Sequence, residues 1–125
     1  MVRILLAEDD DSMREYLARA LERTGYSVTA CESGIVALEH LQKGSFDLLL
    51  TDIVMPELDG IELAQRAAVL YPEMRVMFIT GFAAVTLKAG KAVPQAKVLS
   101  KPFHLRDLVL EVDRLFDIGS ASGLN

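Results

Sequence analysis

Four consecutive carboxylates, Glu8, Asp9, Asp10 and Asp11, follow directly on the apolar run Ile4-Leu5-Leu6-Ala7. Two acids about 4 Å apart repel by about 4 kcal/mol at an effective dielectric near 20. Such a cluster at the mouth of a buried segment must be held by a cation or dispersed into solvent. Other apolar runs also close on polar chemistry: Asp52 after Leu48-Leu49-Leu50-Thr51, Thr80-Gly81 after Val76-Met77-Phe78-Ile79, and Ser100-Lys101-Pro102 after Val98-Leu99. Taken singly, each has an ordinary reading. Acids favour the first turn of a helix, Asp favours turns, and a lone Lys is usually on the surface. Taken together, Glu8, Asp9 and Asp52 are the oxygen ligands of a hard, partly hydrated cation such as Mg²⁺. Lys101 supplies a compact ammonium suited to a phosphoryl oxygen, and Thr80 adds a hydroxyl. The set points to Mg²⁺-dependent phosphoryl transfer onto a carboxylate nucleophile.

These groups meet only if the elements that carry them converge. Short apolar or β-branched runs at 3–7, 27–31, 47–52, 75–81 and 97–101 alternate with helical patterns beginning near 11, 34, 60, 83 and 105. Ser33 and the Asp59-Gly60-Ile61-Glu62 capping box mark two of the helix starts, and Gly25 and Gly44 mark stops. The reading is five successive βα units. Apolar runs that are continuous rather than alternating are buried on both faces, so the strands are parallel and covered by helices on both sides. In such an open sheet, ligands bind beyond the carboxyl ends of the strands, where all the groups above emerge. The run 27–31 ends only in Glu32 and Ser33 and is expected at an edge. The fourth helical segment, 83–96, holds β-branched residues, a glycine and Pro94, and is expected to be short and mobile.

With 125 residues the chain suits one domain, expected over 1–117, with a Gly/Ser-rich tail over 118–125 expected to be flexible. A net charge of −5 disfavours DNA binding. Cys31, the single cysteine, sits among strand residues and reads as a small core hydrophobe. No apolar run nears ~18 residues and no signal-peptide layout is present, so a cytoplasmic protein without membrane contact is expected. His40 and His104 belong to no His/Cys cluster that would hold zinc.

The motifs "LLAEDD", "LLLTDIVMPELDG", "ITG" and "SKPF", in this order and spacing, resemble those of the receiver domain of two-component response regulators across residues 2–116. The resemblance implies a doubly wound (βα)5, flavodoxin-like fold with a parallel sheet of order 2-1-3-4-5. It implies that Asp52 is the phospho-acceptor, supplied by a histidine kinase or a histidine phosphotransferase. Asp9, Asp52 and the backbone carbonyl of Val54 would hold Mg²⁺ directly, and Glu8 through water. Thr80 would bond a phosphoryl oxygen, Lys101 would pair with it, and the Lys101–Pro102 bond would be cis. The longer stretches "LLLTDIVMPELDGIELAQRA", "MFITGFAA" and "AKVLSKPFHLRDLV" are similar to a single-domain, cell-cycle branch of the family. That implies a monomeric adaptor that binds the ClpX unfoldase and primes ClpXP proteolysis when unphosphorylated, rather than an enzyme. A phosphate sink or motility-type regulator is the alternative.

The chain also departs from common receivers. Val98 stands where many carry a switch aromatic, and the final "SGLN" lacks the small-residue ending seen in this branch. Val54 and Phe82 occupy positions that tune access of hydrolytic water in receivers, and neither side chain orients water by hydrogen bonding, so slow self-dephosphorylation is expected. Two other classes fit less well. A flavodoxin-type cofactor carrier needs a hydroxyl- and glycine-rich phosphate loop where this chain has four acids. An aspartyl-phosphate phosphatase needs a second Asp where Val54 stands.

Overall fold

The five apolar runs form five strands: β1 (Arg3–Ala7), β2 (Ser27–Cys31), β3 (Leu48–Asp52), β4 (Arg75–Thr80) and β5 (Lys97–Ser100). Between and after them lie α1 (Asp11–Arg23), α2 (Gly34–Lys43), α3 (Gly60–Leu70), α4 (Ala83–Ala92) and α5 (Leu105–Leu115). This is a computed structural model, and it describes residues 1–116. The expected tail, 118–125, and the domain boundary at 117 lie outside the described residues.

All strand pairs are parallel, in the order β2-β1-β3-β4-β5. The period-2 alternation of a strand splits its side chains between two cores. Leu5, Leu49 and Phe78 pack on one face against Leu41 of α2, Leu63 and Ala67 of α3 and Ala89 of α4. Ile4, Leu6, Leu48, Leu50, Met77 and Ile79 pack on the other face against Leu17 and Leu21 of α1 and Leu108 and Val112 of α5. Both faces of the central strands are therefore dry, which is why their sequences read as unbroken apolar runs.

Three helices start on side-chain caps. Asp10, Ser33 and Asp59 accept from the backbone N–H of Met13, Val36 and Glu62, at 2.9, 3.1 and 2.8 Å. The helices α4 and α5 begin without a side-chain cap. At ten residues α4 is, with α2, the shortest of the five helices, and it ends before Pro94 as the sequence suggests. It also buries little, since only Ala89 is fully covered. Gly25, at φ +102°, ends α1 in a conformation that favours glycine. The Tyr26 hydroxyl then donates to the Asp113 carboxylate and ties the start of β2 to α5. Burial and that bond both raise the Tyr26 pKa. Cys31 is buried and its thiol donates to the Leu6 carbonyl at 3.4 Å. Burial, with the nearby charge of Glu32, pushes that thiol up to about 11, so it is an inert core residue. No described helix is long and apolar enough to cross a membrane.

Candidate functional site

The strand register sets the site. Ala7 of β1 lies beside Thr51 of β3, so Glu8 and Asp52 leave the sheet side by side. On the other side of β3, Asp52 pairs with Ile79, and Thr80 pairs with Ser100. The carboxyl ends of β1, β3, β4 and β5 therefore bring Glu8, Asp9, Asp52, Thr80 and Lys101 to one rim.

Carboxylate oxygens of Glu8, Asp9 and Asp52 lie within 4.8 Å of one another. Asp9 is exposed, whereas Asp52 and Glu8 are 8% and 1% exposed. The Lys101 ammonium bridges the buried pair, donating to Asp52 Oδ2 at 3.1 Å and to Glu8 Oε1 at 3.3 Å. The Asp10 N–H donates to Glu8 Oε2 at 3.2 Å. Burial pushes the Glu8 carboxyl up to about 7, and the charge of Asp52 adds to the rise. The Asp10 N–H and Lys101 pull it back. Burial opposes the charge on Lys101, but its bonds to Asp52 and Glu8 outweigh that and hold the ammonium above its ordinary pKa. The three acids leave a local excess of negative charge after Lys101 is counted, and all offer hard oxygen donors, so the residues fit a Mg²⁺ ion.

The acid run divides between two tasks. Glu8 and Asp9 belong to the cluster, Asp10 caps α1, and Asp11 opens its first turn and pairs with Arg14 at 2.7 Å. Arg14 is a positioning residue that sequence reasoning missed. Its guanidinium also donates to the Glu8 backbone carbonyl at 2.9 Å and so braces the strand end that carries the acids. Spacing alone shows an Arg14–Asp11 helical pair but not the reach back to Glu8.

A second missed residue is Gly60. Its N–H donates to the Ile53 carbonyl at 2.8 Å, and a Cβ at this position would stand 2.1 Å from the Asp52 carbonyl oxygen. The capping-box signal marked Gly60 as a helix start, not as the floor under Asp52. The intervening loop carries Glu57 in the left-handed region, at φ +69°.

Thr80 is buried, and its Oγ1 accepts from the Phe82 N–H at 3.0 Å. The Thr80 carbonyl accepts from the Lys101 N–H at 2.7 Å. Val54, two residues past Asp52, is 46% exposed, and Phe82 is 60% exposed. Val98 is half-buried and packs into the core on the α4 side. The Lys101–Pro102 bond is cis, as the resemblance implies. Beside Lys101, an open cavity of about 390 Å³ is lined by Met13, Tyr16, Pro102 and Phe103.

Comparisons with known proteins bear on the family and the fold. A family model described as the response regulator receiver domain matches residues 4–113. The response regulator receiver protein CpdR of Brucella abortus (strain 2308) is 60% identical over 116 residues, spanning 92% of this chain and 97% of that protein. The sensor kinase CckA of the same organism is 35% identical over 91% of this chain, which corresponds to 12% of that longer protein. Among solved structures, a response regulator receiver protein from Sinorhizobium medicae WSM419 superposes with a TM-score of 0.85 at 35% identity, covering 93% of this chain and 94% of that one.

Proposed function

The chain belongs to the response regulator receiver domain family, and on that premise we propose that it is a stand-alone switch phosphorylated on Asp52. The observation that carries this reading is the Glu8, Asp9 and Asp52 cluster bridged by Lys101. An Asp52 carboxylate oxygen attacks the phosphorus of a phosphohistidine. The new O–P bond forms as the N–P bond breaks, and the imidazole of the kinase or phosphotransferase leaves with the electron pair. Asp9, Asp52 and the Val54 carbonyl would hold Mg²⁺, with Glu8 acting through water, and the ion would supply charge neutralisation at the phosphoryl oxygens. Lys101 follows the incoming phosphoryl group away from its present carboxylate partners, and the Thr80 hydroxyl donates to a phosphoryl oxygen. The apolar cavity beside Lys101 leaves an open approach for the donor.

Linkage tests the cation site. A ligand that binds only the folded state adds about 2.7 kcal/mol at a hundred times its Kd, which raises the melting temperature by roughly 10 °C in a domain of this size. Calorimetry should show that rise with Mg²⁺. Its absence from the unmutated protein would remove the metal from the proposal.

The phosphorylated state should be long-lived. Val54, two residues past Asp52, and Phe82, two residues past Thr80, have apolar, exposed side chains that cannot orient a water molecule by hydrogen bonding. Loss of label from purified phosphoprotein, with no phosphatase added, should be slow, and a half-life of seconds would contradict this account.

For the output we propose an adaptor that binds the ClpX unfoldase in the cytoplasm and primes ClpXP proteolysis while Asp52 is unphosphorylated. Support comes from 60% identity to CpdR over nearly the whole of both chains and from the likeness of the longer motif stretches to that branch. The decisive experiment is phosphotransfer from candidate phosphotransferases, followed by ClpX capture in both states. Capture by the unphosphorylated form alone supports the adaptor. Capture by neither form leaves the phosphate-sink or motility-type reading.

A further inference from the structure

Gly34 opens α2, a helix that contributes no side chain to the phosphorylation site. It is buried, and its backbone lies outside the left-handed region, which among the described glycines only Gly25 enters. At a helix start of ordinary backbone, alanine would lose less conformational entropy on folding than glycine does. Space is what excludes it. A Cβ on Gly34 would stand 2.5 Å from the Leu58 carbonyl oxygen, 3.1 Å from the Leu58 Cβ and 3.3 Å from the Leu58 carbonyl carbon. The nearest of these is a backbone atom, so no change of rotamer makes room.

Leu58 belongs to the loop that joins β3 to α3 and carries Val54. Among the described residues, the backbone of residues 54–58 makes no hydrogen bond to other backbone. Packing must therefore set the path of this loop. Met55 and Leu58 are each 6% exposed, and both sink into the core that holds Ala37 and Leu41 of α2. Pro56 and Glu57, between them, are exposed, and Glu57 turns the chain through its left-handed backbone. Beyond Leu58 the path is fixed again, by the Asp59 cap and by the Gly60 N–H bond to the Ile53 carbonyl. Inside those anchors, the closest approach of another element to the loop backbone at any described glycine other than Gly60 is that of Gly34.

We propose that Gly34 is a positioning residue for the cation site. The first turn of α2 seats against Leu58, and that contact fixes the loop shape on which the Val54 carbonyl depends. The proposal rests on the reading of Asp9, Asp52 and the Val54 carbonyl as Mg²⁺ ligands. Two of those three are carried by the ends of β1 and β3, whose register the sheet sets. The third is carried by the loop, and α2 reaches it only through Leu58. Relieving the contact of an added methyl group with the Leu58 carbonyl requires a displacement of about 1 Å. Mg²⁺ demands near-ideal octahedral placement of its oxygens, so a shift of that size in a backbone ligand weakens binding.

The test uses the full chain, well below its melting temperature, with Gly34→Ala compared with the unmutated protein. Calorimetric titration with Mg²⁺ should show a Kd raised roughly tenfold in the variant. In the metal-free proteins, ¹⁵N-labelled, the amide resonances of residues 53–59 should move. Val112→Ala is the control for lost stability alone, because Val112 lies on α5 in the core on the other face of the sheet. Its Kd for Mg²⁺ should be unchanged. With phosphoramidate as donor, excess Mg²⁺ should restore most of the phosphorylation rate of Gly34→Ala, which a general loss of structure would not allow. Where Gly34→Ala does not fold, Leu58→Ala, which withdraws the side chain that seats the loop and leaves Gly34 in place, should raise the Kd several-fold. Mg²⁺ binding by the unmutated protein with an unchanged Kd in the folded variant, or an equal rise in Val112→Ala, would overturn the proposal alone. Absence of Mg²⁺ binding in the unmutated protein would remove the cation reading and this proposal with it.

Discussion

An Asp52→Asn protein is expected to accept no phosphoryl group from any phosphohistidine donor, a loss of at least about 10³-fold in transfer rate. The amide has no nucleophilic oxygen of comparable strength, and no other residue supplies one at the same place. Glu8 and Asp9 are the other acids of the cluster, but both leave the sheet from β1 and not from β3 beside Thr80. Radiolabel transfer from a phosphorylated phosphotransferase checks the outcome, and residual labelling of the variant at the unmutated rate would displace Asp52 from its role. The same substitution should act in two directions on stability. Without Mg²⁺ it removes one of the three clustered carboxylates and leaves Lys101 paired with Glu8, so the protein should gain about 1 kcal/mol. With Mg²⁺ present, the stabilisation the ion confers on the unmutated protein should largely disappear. Thermal melts of both proteins, with and without Mg²⁺, separate these effects.

Gly60→Ala is expected to cost about 3 kcal/mol, with a fall in melting temperature of roughly 10 °C. The added Cβ would meet the Asp52 carbonyl oxygen at 2.1 Å and the Ile53 Cα at 2.9 Å. Both are backbone atoms of the central strand or its immediate exit, so no side chain can swing aside to make room. The Gly60 N–H bond to the Ile53 carbonyl would be strained as well. Relief requires α3 and the end of β3 to move apart, and any displacement of that strand end moves the Asp52 carboxylate, so phosphotransfer should drop along with stability. Gly44→Ala is the control, because nothing lies within 4 Å of a Cβ there and its backbone is extended. Urea unfolding of the two variants checks the contrast, and equal stability would mean that the approach of Gly60 to β3 is looser than described.

Gly60 also shows where the sequence stops being informative. Its neighbour Asp59 was legible as a helix cap, because capping is a contact between residues three apart. The close approach to Asp52 is made across a loop in which Glu57 adopts a left-handed backbone, and no local pattern encodes such a loop path. Arg14 is a parallel case. Its pairing with Asp11 follows from helical spacing, while its bond to the Glu8 carbonyl depends on how β1 meets α1. For α4, helix-weakening residues predict a short helix, and at ten residues it is tied with α2 for the shortest. How little it buries is not legible in them, since intrinsic propensity says little about how deeply a helix docks on its sheet.

By itself the sequence determined the five strands, the helix starts at Ser33 and Asp59, parallel pairing and the list of residues able to do chemistry. Those follow from short-range periodicity, from capping, and from the need to keep both faces of a central strand dry. Tertiary structure decided which acids meet and what holds them. Lys101 reaches Asp52 from 49 residues away and Glu8 from 93, distances spanned only because the order β2-β1-β3-β4-β5 brings those strand ends to one rim. It also decided that Glu8 is buried and Asp9 exposed, although the two are adjacent acids in one run. The physical reason is that desolvation and charge pairing depend on the three-dimensional surroundings of a group, which a linear pattern does not contain.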